Sequence, residues 1–172
     1  LVAEAARLVG PPDILVNNVG DFLLKPVTET TAAEWRHVFA TNTESVFILT
    51  RAVLPHMREE GWGRIVNLTT SPVDRAGAAP RTAAYTAAKS AVASFTRTLA
   101  REEVTHGITI NAVAPGLIDN GPERTTDEFR KLMQEISPTG KLGTPEDVAR
   151  VILFLALPDS AYITGAQIAV AG

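Results

Sequence analysis

Apolar and polar positions along the chain change period in a regular order. Residues 1–9 place apolar side chains at helical spacing, and Gly10-Pro11-Pro12 breaks the run. Asp13-Ile14-Leu15-Val16-Asn17 is a short, nearly continuous apolar run, the pattern of a buried parallel strand, and Asn18-Val19-Gly20 ends it in a turn. From Thr31 to about Glu60 the period becomes helical, with Trp35, Val38, Phe39, Val46, Leu49 and Val53 recurring on one side. Thr31 and Glu34 stand in the relation of a capping box, and Pro55 predicts a kink near the end. Gly61-Trp62-Gly63 is a break, and Arg64–Thr69 reads as the second strand. A polar loop leads to Arg81. Thr82 to about His106 is an Ala-rich helix with Gly107 as its C-terminal stop. Ile108–Val113 is a third strand, ended by Ala114-Pro115-Gly116. A polar stretch with a short helix over 126–136 follows. Thr144 as N-cap and Pro145 at the first helical position start a helix that runs to Leu157, and Gln167–Val170 is a fourth strand.

Strands alternating with helices predict an α/β fold, a Rossmann-like doubly wound parallel sheet with helices on both faces. Ligands in such sheets bind beyond the carboxyl ends of the strands. Three segments stand there: Asn18–Gly20, Thr69–Ser71 and Pro115–Asn120. They are expected to converge on one crevice. The 172 residues suit a single domain. The chain opens on Leu1, already within a helical pattern, and stops directly after a strand, so both ends read as cut. The expectation is one N-terminally truncated domain over 1–172.

Composition narrows the function classes. A net charge of −3 gives no basic footprint for nucleic acid. No apolar run is long enough for a bilayer, and no signal-peptide pattern is visible. The chain has no cysteine, which excludes disulfides, thiolate metal sites and a cysteine nucleophile and fits a cytoplasmic protein. His37, His56 and His106 make no metal-ligand pair at helical spacing.

Tyr85 and Lys89 are the first candidates for chemistry. Four residues apart on a helix, they share a face. An ammonium beside a phenol favours the phenolate, which predicts a lowered Tyr85 pKa. A tyrosine so tuned serves as acid toward a carbonyl oxygen or base toward a hydroxyl. Taken alone, such a pair is also an ordinary surface feature.

The surrounding motifs extend the reading. Tyr85-Thr86-Ala87-Ala88-Lys89, Asn17-Asn18-Val19-Gly20, Asn42 followed by Val46-Phe47, and Gly63-Arg64-Ile65-Val66-Asn67 occur in order. Asn111–Gly116, Pro145-Glu146-Asp147-Val148-Ala149 and Tyr162-Ile163-Thr164-Gly165 follow. In this order and spacing the chain resembles the short-chain dehydrogenase/reductase family over nearly its whole length, closest to the 3-oxoacyl-ACP-reductase-like branch. The resemblance implies an NAD(P)-dependent oxidoreductase that interconverts a ketone and a secondary alcohol by hydride transfer. Tyr85 would move the proton. Lys89 would lower its pKa and bond the nicotinamide ribose. Asn42 would hold a water of a proton relay; its plainer alternative is a mid-helix Asn bonded to local backbone. Asn18 and Gly20 would line the adenosine side of NAD or NADP, and Pro115, Gly116 and Ile118 its nicotinamide end. A structural turn is the alternative at both places.

The chain departs from the family pattern at three points. The hydroxyl that bonds the substrate oxygen is a Ser in the family; by register it falls on Thr70, with Ser71 next to it as a second candidate. Asn120 stands where many members have a Thr that bonds the carboxamide. The Gly-rich turn for the pyrophosphate is absent, and with it, by family pattern, the first three strands. The exposed edge of the first remaining strand would then be an aggregation hazard. A pseudoenzyme or assembly subunit on the same fold is therefore the alternative function. An extended-branch epimerase also uses Tyr-x-x-x-Lys, but the Asn-Asn-Val-Gly turn argues against it. The partners expected are a small carbonyl or alcohol substrate and further copies of the chain. The two long helices (about 31–60 and 82–106) form dimer faces in the family, implying a dimer or tetramer. Asp119, Glu123, Arg124, Asp127, Glu128, Arg130 and Lys131 predict a mostly solvated lid.

Overall fold

Periodicity and punctuation place the elements, and a parallel sheet follows from their order. The computed structural model describes residues 1–71, 79–121, 126–137 and 139–172. The elements are α1 (Val2–Val9), β1 (Ile14–Asn17), α2 (Ala32–Phe39), α3 (Ser45–Glu60), β2 (Gly63–Leu68), α4 (Ala83–Glu103), β3 (Ile108–Pro115), α5 (Asp127–Ile136), α6 (Pro145–Ala156) and β4 (Gln167–Val170). The strands lie in chain order β1-β2-β3-β4, all parallel.

The period of two in each strand builds two cores. Ile65 on β2 and Ile108 and Ile110 on β3 face one side, where they meet Val53 and Met57 of α3 and Leu99 and Ala100 of α4. Val66, Leu68 and Val113 face the other side, against Val148 and Leu155 of α6. Helices thus cover both faces, the doubly wound architecture expected. Asn17 and Asn67, register partners on β1 and β2, place their side chains on the α3/α4 side. There Asn17 Nδ2 donates to Asn67 Oδ1 (2.8 Å) and Asn67 Nδ2 to Thr96 Oγ1 of α4 (2.9 Å). This buried polar chain ties β1, β2 and α4 together just beneath the strand ends.

Local chemistry accounts for the helix ends. Thr31 and Glu34 close a capping box on α2, and Thr144 and Asp147 close one on α6 with Pro145 in its first turn. Gly107 adopts φ 73° after the Ala-rich helix, the left-handed stop expected there.

The expected single helix from Thr31 to Glu60 is corrected in its middle. Ala40–Glu44 form a π turn between α2 and α3, in which the Ser45 N–H donates to the carbonyl of Ala40. Several side chains stabilise the wider turn. Asn42 Nδ2 donates to Val38 O (3.0 Å), Ser45 Oγ to Thr41 O (2.6 Å), and Thr43 Oγ1 to Ala88 O on α4 (3.1 Å). Hydroxyls and amides that compete for helix carbonyls loosen the four-residue ladder. Strand β3 also runs on to Pro115, where the motif placed its end at Val113. Part of the polar loop before Arg81, and Glu123 and Arg124 of the expected lid, lie outside the described residues. Among the described residues no helix is long and apolar enough to cross a membrane, and no cluster of three His, Cys, Asp or Glu is placed to hold a metal.

Candidate active site

The segments beyond the strand ends line one crevice of about 650 Å³. Asn18, Gly20 and Phe22 follow β1, Thr69 and Thr70 follow β2, and Gly116, Leu117, Ile118 and Asn120 follow β3. Tyr85 and Lys89 enter from α4, Met133 from α5, and Val148, Ala149 and Ile152 from α6. Residues more than 130 positions apart in sequence, such as Asn18 and Ile152, therefore meet because the parallel strands end at one level.

Lys89 is 5% exposed. Its Nζ donates to the carbonyl of Leu68, the last residue of β2, at 2.8 Å, and lies 5.8 Å from the centre of the Tyr85 ring. Burial pushes the ammonium down to about 8. Burial also pushes the Tyr85 phenol above its ordinary value. The lowered Tyr85 pKa expected from its neighbour is thus corrected. The ammonium is held on the Leu68 carbonyl, and desolvation dominates at both groups. A phenol raised in this way is protonated at neutral pH and can donate.

Thr70 is half-buried and lines the crevice. Ser71 is half-buried and is not among the lining residues. Asn42 is fully buried and lies behind the crevice wall. Its Nδ2 donates to Asp21 O (2.9 Å) as well as to Val38 O, the local backbone bonding foreseen as its alternative role. Its Oδ1 has no hydrogen-bond partner. Gly20 packs directly on this amide: a Cβ there would come within 2.6 Å of Asn42 Cγ. The glycine of the Asn-Asn-Val-Gly turn is thus required by close approach. Gly116 is similar, since a Cβ would sit 2.8 Å from Ala171 Cα, and its N–H donates to Val170 O at 2.9 Å.

The region over the crevice is tied down by charge. Arg130 of α5 donates from Nε to Asp119 Oδ2 (2.7 Å) and from Nη1 to Asp127 Oδ1 (2.5 Å). The Arg130 guanidinium and the Gly121 N–H hold the Asp119 carboxyl below the usual carboxylate range. These members of the expected lid are paired, and Asp119 sits between two lining residues, Ile118 and Asn120. Sequence reasoning missed Phe22, whose ring stands edge-on to Tyr85 with centroids 5.0 Å apart. Phe22 opens a three-residue Phe-Leu-Leu run, too short to carry a periodic signal.

The donor set fits the nicotinamide end of a dinucleotide. Lys89 has two further N–H donors, Tyr85 and Thr70 have hydroxyls, Asn18 and Asn120 have amides, and Pro115–Ile118 supply backbone beside apolar side chains. Lys89 is the sole cation among the described lining residues, and no Gly-rich turn opening a helix stands among them to cradle a pyrophosphate.

A doubly wound parallel sheet with a Tyr-x-x-x-Lys helix at the carboxyl ends of its strands defines the dehydrogenase/reductase class. A family model described as enoyl-(acyl carrier protein) reductase matches residues 1–172. The chain is 42% identical over 167 residues to the 3-oxoacyl-[acyl-carrier-protein] reductase FabG of Vibrio cholerae serotype O1, covering 95% of this chain and 66% of the relative. It is 37% identical over 176 residues to the acetoacetyl-CoA reductase of Rhizobium meliloti, covering 99% and 71%. Among solved structures, ElxO with NADP bound superposes with a TM-score of 0.91 at 32% identity, covering 99% of this chain and 70% of that one. The chain belongs to the short-chain dehydrogenase/reductase family, in its 3-oxoacyl-ACP-reductase-like branch. It spans about two thirds of the length of these relatives, and the reductases of this family use NAD(P)H.

Proposed function

We propose that these residues form the substrate and nicotinamide half of an NAD(P)H-dependent reductase that converts a ketone to a secondary alcohol. The observation that carries this reading is the convergence of Tyr85, Lys89 and Thr70 on one crevice at the strand ends. When bound, the nicotinamide supplies the hydride. Tyr85 gives its proton to the carbonyl oxygen, a role supported by its place in the crevice beside Thr70 and Lys89. Thr70 donates a hydrogen bond to the same oxygen, where negative charge develops. Lys89 keeps one N–H on Leu68 O and offers the others to the ribose. Asn42, behind the wall with a free Oδ1, holds a water that restores the Tyr85 proton. Asn18, Gly20, Pro115, Gly116 and Ile118 seat the cofactor, largely through backbone.

In this reading the pyrophosphate site lies on further strands paired with β1 in the full protein. Ile14 and Val16 on that outer edge are 46% and 41% exposed, and a third of the relatives' length lies outside the match. A second copy packs on α3 and α4, where Phe47 and Ile48 are about half exposed beside a groove lined by Leu54, Phe95 and Leu99. Sedimentation of the full protein as a monomer at micromolar concentration would count against that contact.

The test is titration of NADH and NADPH into the full natural chain, followed by turnover of acetoacetyl-CoA with whichever nucleotide binds. Tyr85→Phe is expected to lower kcat/KM by about 10²–10⁴-fold with nucleotide binding retained. Undiminished turnover by Tyr85→Phe would remove Tyr85 from the chemistry, and no nucleotide binding would hand the fold to a non-catalytic role.

A further inference from the structure

Phe22 is 61% exposed, yet the backbone on either side of it is anchored. The backbone of Asp21 is pinned on both sides: its N–H donates to Thr41 Oγ1 (3.3 Å) and its carbonyl accepts from Asn42 Nδ2 (2.9 Å). Leu23 packs with Val38, Ala84 and Ala88. Lys25 donates from its backbone N–H to Arg81 O at 2.7 Å and from Nζ to both carboxylate oxygens of Glu34, at 2.8 and 3.1 Å. Arg81 has φ 70°, the sole left-handed non-glycine among the described residues. Its strained backbone therefore sits where the strap joins the start of the helix that carries Tyr85.

The result is a strap over residues 21–25, tied to α2, to the π turn and to the residue before α4. It sets one edge contact of Phe22 against Tyr85, at an interplanar angle of 76°, and leaves the rest of the ring open to the crevice. Met133 and Leu117 supply further apolar side chains to the same crevice. An uncovered aromatic face beside a proton donor is a surface that gains from being covered.

We propose that Phe22 is a specificity-determining residue: the organic group attached to the reacting carbonyl packs on its open face while Tyr85 reaches the oxygen. This rests on the reductase reading above and assigns to Phe22 the choice among its ketones by the size of the apolar group they carry. A polyhydroxylated ketone is disfavoured, because its hydroxyls would lose water against the ring without gaining partners.

The experiment uses the full natural chain with its reduced nucleotide and two N-acetylcysteamine thioesters, 3-oxobutanoyl and 3-oxooctanoyl. Phe22→Ala is expected to raise KM for the longer ketone about tenfold and for the shorter one less than about threefold, with kcat held within about twofold. Phe22→Leu, which keeps an apolar wall, should recover most of the loss. Equal KM changes for both ketones, or a fall in kcat at constant KM, would overturn the assignment. Equilibrium binding of the 3-hydroxyoctanoyl thioester separates this from the reductase reading. Weaker binding by Phe22→Ala without turnover by the wild type would keep the wall and remove the reductase. Equal binding by both chains would remove the wall whatever the turnover.

Discussion

Lys89 carries a cost that can be measured. Its side chain is buried beneath the crevice, and burial holds its pKa at about 8 against the ordinary 10.5. At 1.36 kcal/mol per pKa unit, keeping the charge inside the fold at neutral pH costs about 3 kcal/mol relative to the neutral amine. The sign follows from proton counting. Between about 8 and 10.5 the unfolded chain binds more protons at this residue than the folded one, so stability rises with pH across that window and is flat below it. Other groups titrate in the same range, and a paired comparison with Lys89→Met cancels them. The variant loses the 2.8 Å bond to Leu68 O, an effect that stays constant while the charge cost varies. Urea denaturation of both chains from pH 7 to 10 gives the difference directly. The wild type is expected to gain on Lys89→Met by about 2–3 kcal/mol over that range. Parallel stability curves would refute the reasoning and show that Lys89 is solvated in the folded protein.

Two further outcomes test the site's construction. Gly20→Ala places a methyl against the Asn42 amide and is expected to cost about 1–3 kcal/mol, lowering Tm by several degrees in thermal denaturation; an unchanged Tm would mean that the turn and the amide move apart freely. Thr70→Ala is expected to lower kcat of the full natural chain by about 10²-fold, whereas Ser71→Ala leaves it within about twofold; the reverse order would move the oxygen-binding hydroxyl to Ser71.

Most of the architecture was legible in the residues because its causes are local. The period of two in Arg64–Leu68 assigns Ile65 and Val66 to opposite faces without reference to any partner. Thr31 with Glu34 and Thr144 with Asp147 announce helix starts within four residues. The site was legible as a set of motifs, and the alternation of strands and helices brought Asn18, Thr70, Tyr85 and Gly116 to one end of the sheet. The π turn was not legible, because the apolar spacing on either side of Asn42 continues through it. What opens the turn is a group of polar side chains that find carbonyls locally and, for Thr43, on α4.

The sequence by itself determined the order of strands and helices, that the strands run parallel, and which motifs gather at their carboxyl ends. Only the tertiary structure decided how those residues behave there. Four-residue spacing put Lys89 beside Tyr85 and pointed to a lowered phenol pKa. The folded chain reverses that direction, since Leu68 O captures the ammonium and burial acts on both groups. Glycine at position 20 reads as a flexible turn until Asn42 is found against it, and Phe22 reads as an ordinary loop residue until Arg81, Glu34 and Asn42 are seen to hold its strap. Secondary structure follows from neighbours along the chain, whereas desolvation and close contact sum over neighbours in space, and those are known only once the chain has folded.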